Sequence, residues 1–153
     1  HDRLADMGGA LVVRALADAQ AGKLQAVKQP EAGITYAHKI EKAEAAVDWQ
    51  QSAETIGRRV RAFNPFPAAS AQLGADVIKL WRATVENTAH QKPAGTVLSA
   101  DEHGVRVACG QGVLCVTELQ RAGGKRLSAA DFLRGFPLTV GQCFEPHATH
   151  KVS

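Results

Sequence analysis

Apolar residues recur along this chain with two periods, a helical one at the start and around residue 60, and a strand-like one from about residue 76 onward. Leu4, Leu11, Val12, Ala15 and Leu16 keep helical spacing, broken only by Gly8-Gly9, so residues 1–20 are expected to form a helix. Residues 21–51 contain Gly22, Pro30 and Gly33 and no sustained period; they are expected as a linker, with a domain boundary near Gln51. Ser52 then suits the N-cap of a second helix, in which Ile56, Val60 and Phe63 make one apolar stripe. Arg58 and Arg61 face the other way and Arg59 flanks them. Pro65 disfavours helical geometry at Asn64, and Pro67 follows after Phe66, so the helix must end near Phe63.

Beyond that point Asp76 to Glu86, Gly95 to Ala100, Val105 to Cys109 and Val113 to Leu119 are β-rich, separated by turn residues such as His103-Gly104 and Gly110-Gln111-Gly112. Ser128 with Asp131 marks a helix start for Ala129 to Arg134, Gly135 closes it, and Leu138 to Phe144 reads as a last strand. The pattern predicts a mainly β fold with flanking helices. An antiparallel meander of about five short strands removes its exposed edges by closing, so residues 52–153 are expected as a small OB-like antiparallel β-barrel, preceded by an isolated helix and a linker.

Composition narrows the class. With 153 residues and 45% hydrophobic content the chain can bury one real core. No apolar run approaches the ~20 residues of a membrane helix, and neither a targeting leader nor a membrane partner is expected. The first residue is His1 and lies inside a helical pattern, which is expected of a fragment of a longer protein. Cys109, Cys115 and Cys143 form no CxxC pair and no metal-ligand spacing with a histidine, so a reducing cytoplasm and no metal are expected. Cys109 and Cys115 fall in strand-like runs and read as small core residues, with a redox or metal role as the other reading.

Charge is unevenly placed. Residues 1–51 hold six Lys/Arg against seven Asp/Glu, a balance of −1, and residues 52–153 hold twelve against eight, a balance of +4. Arg58, Arg59 and Arg61 cluster, Lys79 and Arg82 share a strand, and Arg121, Lys125 and Arg126 surround Gly123-Gly124 as a basic finger.

Several landmarks occur in order: Thr35-Tyr36-Ala37-His38-Lys39-Ile40, Lys42-Ala43-Glu44, Val47-Asp48-Trp49, Arg61-Ala62-Phe63-Asn64-Pro65-Phe66-Pro67 and Pro93-Ala94-Gly95-Thr96-Val97. Together they resemble the carboxy-terminal part of the methionyl-tRNA formyltransferase family over nearly the whole chain. The resemblance implies a parent enzyme that moves a formyl group from 10-formyltetrahydrofolate to the methionyl amino group of initiator tRNA before bacterial translation starts. It also implies that residues 1–20 are the last helix of a truncated catalytic domain. Two departures stand out: the alanines of Lys42-Ala43-Glu44-Ala45-Ala46, where a more polar run is expected, and the tail after Phe144.

The family's Asn-x-His pair and later Asp have no counterpart here. Asn64 and Asn87 are the only asparagines, and neither has a histidine two residues on. No histidine has a partner fit for acid-base work, so the fragment is expected to be catalytically silent and to hold no cofactor of its own. His147 and His150 are assigned to a loose tail.

What remains is binding. Phosphate docking needs cations rather than base-reading groups. The candidates, chosen by charge and clustering, are Arg58, Arg59, Arg61, Lys79, Arg82, Lys92, Lys125 and Arg126, with Lys39 and Lys42 on the linker behind them. Each has the alternative of being a solvated surface cation, and Arg61 that of bracing the Asn64-Pro65 turn. Trp49, Phe63, Phe66 and Trp81 are assigned to packing rather than base stacking. Tyr36 and Asp48-Trp49 are expected to fix the connector. The expected partners are initiator methionyl-tRNA and the chain's own amino-terminal catalytic domain. Two other functions stay open: the same barrel in another 10-formyltetrahydrofolate-using enzyme (a hydrolase, dehydrogenase or sugar-nucleotide formyltransferase), and a purely structural domain.

Overall fold

The computed structural model describes residues 2–146. His147 and His150 lie outside them. The chain divides into two compact units between His38 and Lys39.

The first unit holds one long helix, α1 (Asp2–Gln20), none of whose residues is buried. The amide of Lys23 donates to Asp18 O at 2.9 Å, and Gly22 takes φ 65°, the left-handed geometry that ends a helix. Residues 23–38 contain no further helix or strand, and Tyr36 is 90% exposed rather than anchored.

The second unit starts earlier than the sequence suggested. Residues 39–51, expected as linker, contribute Ala45, Val47 and Trp49 to the apolar core, and Trp49 stacks on Phe144 with ring centroids 5.3 Å apart. A 3-10 turn (Lys42–Ala45) is held by reciprocal capping between Glu41 and Glu44. Helix α2 (Ala53–Ala62) follows, its first turn capped by the Ser52 hydroxyl, which accepts from Thr55 N at 3.2 Å. Its buried face is Ala53, Ile56, Gly57 and Val60. The chain leaves through the Asn64–Pro65 turn as expected, with Phe63 buried as the cap.

Six strands make one antiparallel sheet: β1 (Ala69–Leu73), β2 (Asp76–Glu86), β3 (Val97–Asp101), β4 (Gly104–Ala108), β5 (Val113–Arg121) and β6 (Leu127–Ser128). Their order is β1-β2-β5-β4-β3, with β6 paired to β5. The mainly β class with flanking helices is therefore the observed one. The simple meander is not, because β5 returns to pair with β2 after the β3-β4-β5 hairpins. Nor does the strand ladder close into a barrel: β1 and β3 are its two ends.

A non-strand strap covers both of those ends. Gly141 N donates to Val97 O at 2.9 Å, Val97 N to Gln142 O at 2.8 Å and Phe144 N to Gly95 O at 2.9 Å; then Glu145 N donates to Gln72 O at 2.8 Å on β1. The segment expected as a last strand, Leu138 to Phe144, is this strap, and it satisfies edge groups that a strand would otherwise take up. Helix α3 (Ala129–Gly135) is capped by Ser128, as its sequence predicts, and buries Ala129 and Phe132.

Gly57 sets how closely α2 approaches the sheet. A Cβ at that position would stand 2.8 Å from Val85 Cγ2, and Leu114 Cδ1 lies 3.7 Å away. The helix therefore fills the inner side of the β2-β5 pair.

Candidate nucleic-acid interface

Strand β2 alternates, with Ile78 and Leu80 buried and Lys79 between them half-buried. Strict alternation would turn Arg82 inward, beside Leu80. Register shifts between Leu80 and Arg82, and between Arg82 and Ala83, prevent it. The bulge puts Trp81 and Arg82 outward in succession and returns Ala83 to the core. Lys79, Trp81 and Arg82 thus share the outer face.

The finger expected around Gly123-Gly124 folds onto the same face. The Arg126 guanidinium lies 5.1 Å from the Trp81 ring centroid, and Lys79 Nζ lies 5.9 Å from it. The indole N–H of Trp81 donates to Gln120 Oε1 at 2.8 Å, and Gln120 Nε2 donates to Gly124 O at 2.7 Å. Asn64 Nδ2 adds a bond to Trp81 O at 3.0 Å, tying the exit of α2 to the same residue. The ring is therefore held by Gln120 at its N–H and by Arg126 and Lys79 against its faces, while Asn64 holds the backbone of the same residue.

One carboxylate stands among these cations. Glu118 Oε1 lies 3.2 Å from Arg82 Nε as an ion pair, and Glu118 Oε2 accepts a hydrogen bond from Arg126 Nε. Arg82 keeps 69% of its side-chain surface exposed and Arg126 41%, so both remain open to a phosphate.

The other predicted residues are dispersed. Arg58 is exposed and pairs with Glu54 one turn earlier on α2. Arg59 is half-buried, while Arg61, Lys39, Lys42, Lys92 and Lys125 are exposed. Arg121 is structural: its guanidinium donates to Asp76 at 2.7 Å and lies 4.5 Å from the Phe136 ring centroid. Arg106 is likewise tied down, with Nε 3.0 Å from Glu86 Oε1 and Nη1 3.3 Å from Asp101 Oδ2.

The cysteines follow their apolar surroundings. Burial pushes the Cys109 thiol up to about 11. Burial also raises Cys115, opposed by the Arg106 guanidinium beside it. Among the described residues there is no cluster of His, Cys, Asp and Glu fit to hold a metal, and no helix is long and apolar enough to cross a membrane.

Residues 39–137, well over half the chain, match the model of the formyl transferase C-terminal domain. The chain belongs to that family. This formyl transferase C-terminal domain, together with the helix and segment preceding it, is 56% identical to a protein named methionyl-tRNA formyltransferase from Delftia acidovorans, over 97% of this chain and 46% of that one. A protein of the same name from Acidovorax ebreus is 57% identical over 92% of this chain and 45% of its own length. The chain thus spans a little under half the length of these relatives. Among solved structures, HypX from Aquifex aeolicus in complex with tetrahydrofolic acid has a TM-score of 0.63 at 26% identity, covering 84% of this chain and 23% of that one.

Reading the sequence of this C-terminal domain by positive charge alone missed Glu118, Gln120 and the part played by Trp81. A carboxylate and an amide carry no cationic signal, and the bulge that turns Arg82 outward leaves no mark in composition. Phe66 also departs from expectation. Expected in the core, it is 64% exposed, whereas Trp49 and Phe63 are buried as expected and Trp81 is half-buried.

Proposed function

We propose that this chain is the tRNA-docking carboxy-terminal part of a methionyl-tRNA formyltransferase. That enzyme transfers a formyl group from 10-formyltetrahydrofolate to the amino group of methionine on initiator tRNA, in the cytoplasm of a bacterium at the start of translation. The observation that carries the reading is the outer face of β2, where Lys79 and Arg126 flank Trp81 and Arg82 joins Arg126 through Glu118, in a chain 56% identical to a protein of that name.

The division of labour follows from what each part offers. Residues 1–20 are the last helix of the amino-terminal catalytic domain, and the exposed Leu4, Leu11, Val12 and Leu16 of α1 supply apolar surface for it. That domain takes the folate and performs the transfer. The β unit holds the RNA. A-form RNA hides its base edges in a deep, narrow groove and presents phosphates outside, so a face of arginines and lysines suits its backbone. Arg82 and Arg126 are the leading contacts, with Lys79 beside Trp81 and Lys125 next to Arg126 in the finger. Arg58, Arg59, Arg61, Lys92, Lys39 and Lys42 extend the field that steers the RNA in. No cofactor or metal is assigned to this part.

The same fold serving another 10-formyltetrahydrofolate-using enzyme is the second reading, favoured by the likeness at 26% identity to HypX, whose structure holds tetrahydrofolic acid. The much higher identity to the methionyl-tRNA enzymes favours the first. The test is formylation by the chain joined to its catalytic domain. Lys125→Glu with Arg126→Glu is expected to raise KM for the tRNA roughly tenfold or more while KM for 10-formyltetrahydrofolate stays unchanged. An unchanged KM for tRNA would leave the β unit a scaffold.

A further inference from the structure

We propose that the groove beside Phe66 receives one unpaired nucleotide of the bound RNA, with the base on the Phe66 ring and its phosphate between Lys42 and Lys79. The inference rests on the RNA-docking reading above and adds a base-contacting site to it.

Three observations lead there. First, Phe66 is 64% exposed, while Phe63, Phe132 and Phe144 are at most 7% exposed, so this ring contributes little to the core. It sits between Pro65 and Pro67, whose fixed φ angles stiffen its backbone, and Ala68 N donates back to Phe63 O at 2.9 Å, closing the loop. A ring presented on so stiff a loop loses little freedom when something stacks on it.

Second, Phe66 borders a groove of about 360 Å³, within the range of small-ligand pockets. Pro67 and Val77 give it apolar walls, and Val77 is 40% exposed. Lys42 and Lys79 supply its charge, and among the described residues no carboxylate lines it. An apolar wall between two cations matches a nucleotide, with its flat base and its anionic link. A neighbouring domain's apolar side chain would leave both lysines without an anion.

Third, Lys79 belongs to two places at once: it lines the groove, and its Nζ is 5.9 Å from the Trp81 ring centroid. A backbone following Arg126 and Arg82 along β2 is therefore delivered to the groove. Stacking on an aromatic side chain is tolerant of sequence and demands only an unpaired base.

The experiment compares binding of an initiator tRNA transcript and of a blunt, fully paired RNA duplex to the 153-residue chain and its variants. Phe66→Ala is expected to weaken tRNA binding about tenfold, with the slope of log K against log salt unchanged, because a stack releases no counterions. Phe66→Trp should keep the affinity, and the duplex should ignore both substitutions. Unaltered tRNA affinity in Phe66→Ala, while Arg82→Ala with Arg126→Ala weakens both RNAs, would overturn the groove and leave the docking reading intact. Equal loss for tRNA and duplex in Phe66→Ala would also overturn it. Absence of salt-dependent binding by the unaltered chain would overturn both readings together.

Discussion

The guanidinium of Arg126 lies 5.1 Å from the centroid of the Trp81 ring while its Nε donates to Glu118, so one side chain from the finger closes over an indole on β2. Glu118 also holds Arg82, and it therefore competes with a phosphate for two cations at once. Glu118→Gln is predicted to strengthen RNA binding about fivefold, the equivalent of roughly 1 kcal/mol for exposed ion pairs. It should also steepen the salt dependence by about one phosphate contact. Fluorescence titration at three or more salt concentrations reads both effects. Unchanged or weaker binding would mean that Glu118 orients the arginines rather than restrains them.

Gly57 lies in the middle of a helix, where alanine is ordinarily better by about 1 kcal/mol. Here the added Cβ would stand 2.8 Å from Val85 Cγ2, and a β-branched valine cannot turn its methyls aside freely. Gly57→Ala is predicted to destabilise the protein by about 1–3 kcal/mol in urea unfolding. Gly8→Ala is the control: nothing stands within 4 Å of its Cβ, so the helix-propensity gain should appear alone in the helical signal of α1.

The strap that spans both sheet ends is anchored by Phe144 on Trp49. Phe144→Ala is expected to lower stability by about 3–5 kcal/mol. Hydrogen exchange should quicken at Val97, whose amide donates to the strap. Protection unchanged at that amide would show the strap to be dispensable for covering the β3 edge.

Cys109 gives a pH dependence. Its pKa rises from an ordinary value of 9.0 to about 11 in the fold because burial disfavours the thiolate. The stability this represents is complete below pH 9 and is lost as pH rises through 11, since the unfolded chain deprotonates first. The unaltered chain should lose on the order of 2 kcal/mol more than Cys109→Ala across that window. Denaturant midpoints for the pair at each pH provide the check. Parallel curves would contradict it.

Much of the fold was legible. The stripe Ile56, Val60, Phe63 and the Ser52 and Ser128 caps identify α2 and α3, and the β-branched runs locate most of β2, β4 and β5. What was hidden has physical reasons. Strand β1 is Ala-Ser-Ala-Gln-Leu, small and polar residues that make a strand only because β2 pairs with them. The strap reads as a strand in the sequence but forms none, because it serves two edges in succession. Val47 and Trp49 sit in a segment with no period, and only tertiary packing makes it part of the core. The cationic clusters on β2 and the finger were visible as charge. Their convergence on Trp81 was not, because it depends on a bulge and on bonds between residues as far apart as Trp81 and Gln120.

The central claim is that Lys79, Arg82 and Arg126 form an RNA-docking face. Its most direct test is titration of the chain with initiator and elongator tRNA over a range of salt, for the unaltered protein and for Arg82→Ala with Arg126→Ala. The prediction is log K falling linearly with log salt, similar affinity for both tRNAs, and a slope reduced by about 2 in the double variant. Binding that keeps its slope and strength without these two arginines would contradict the claim.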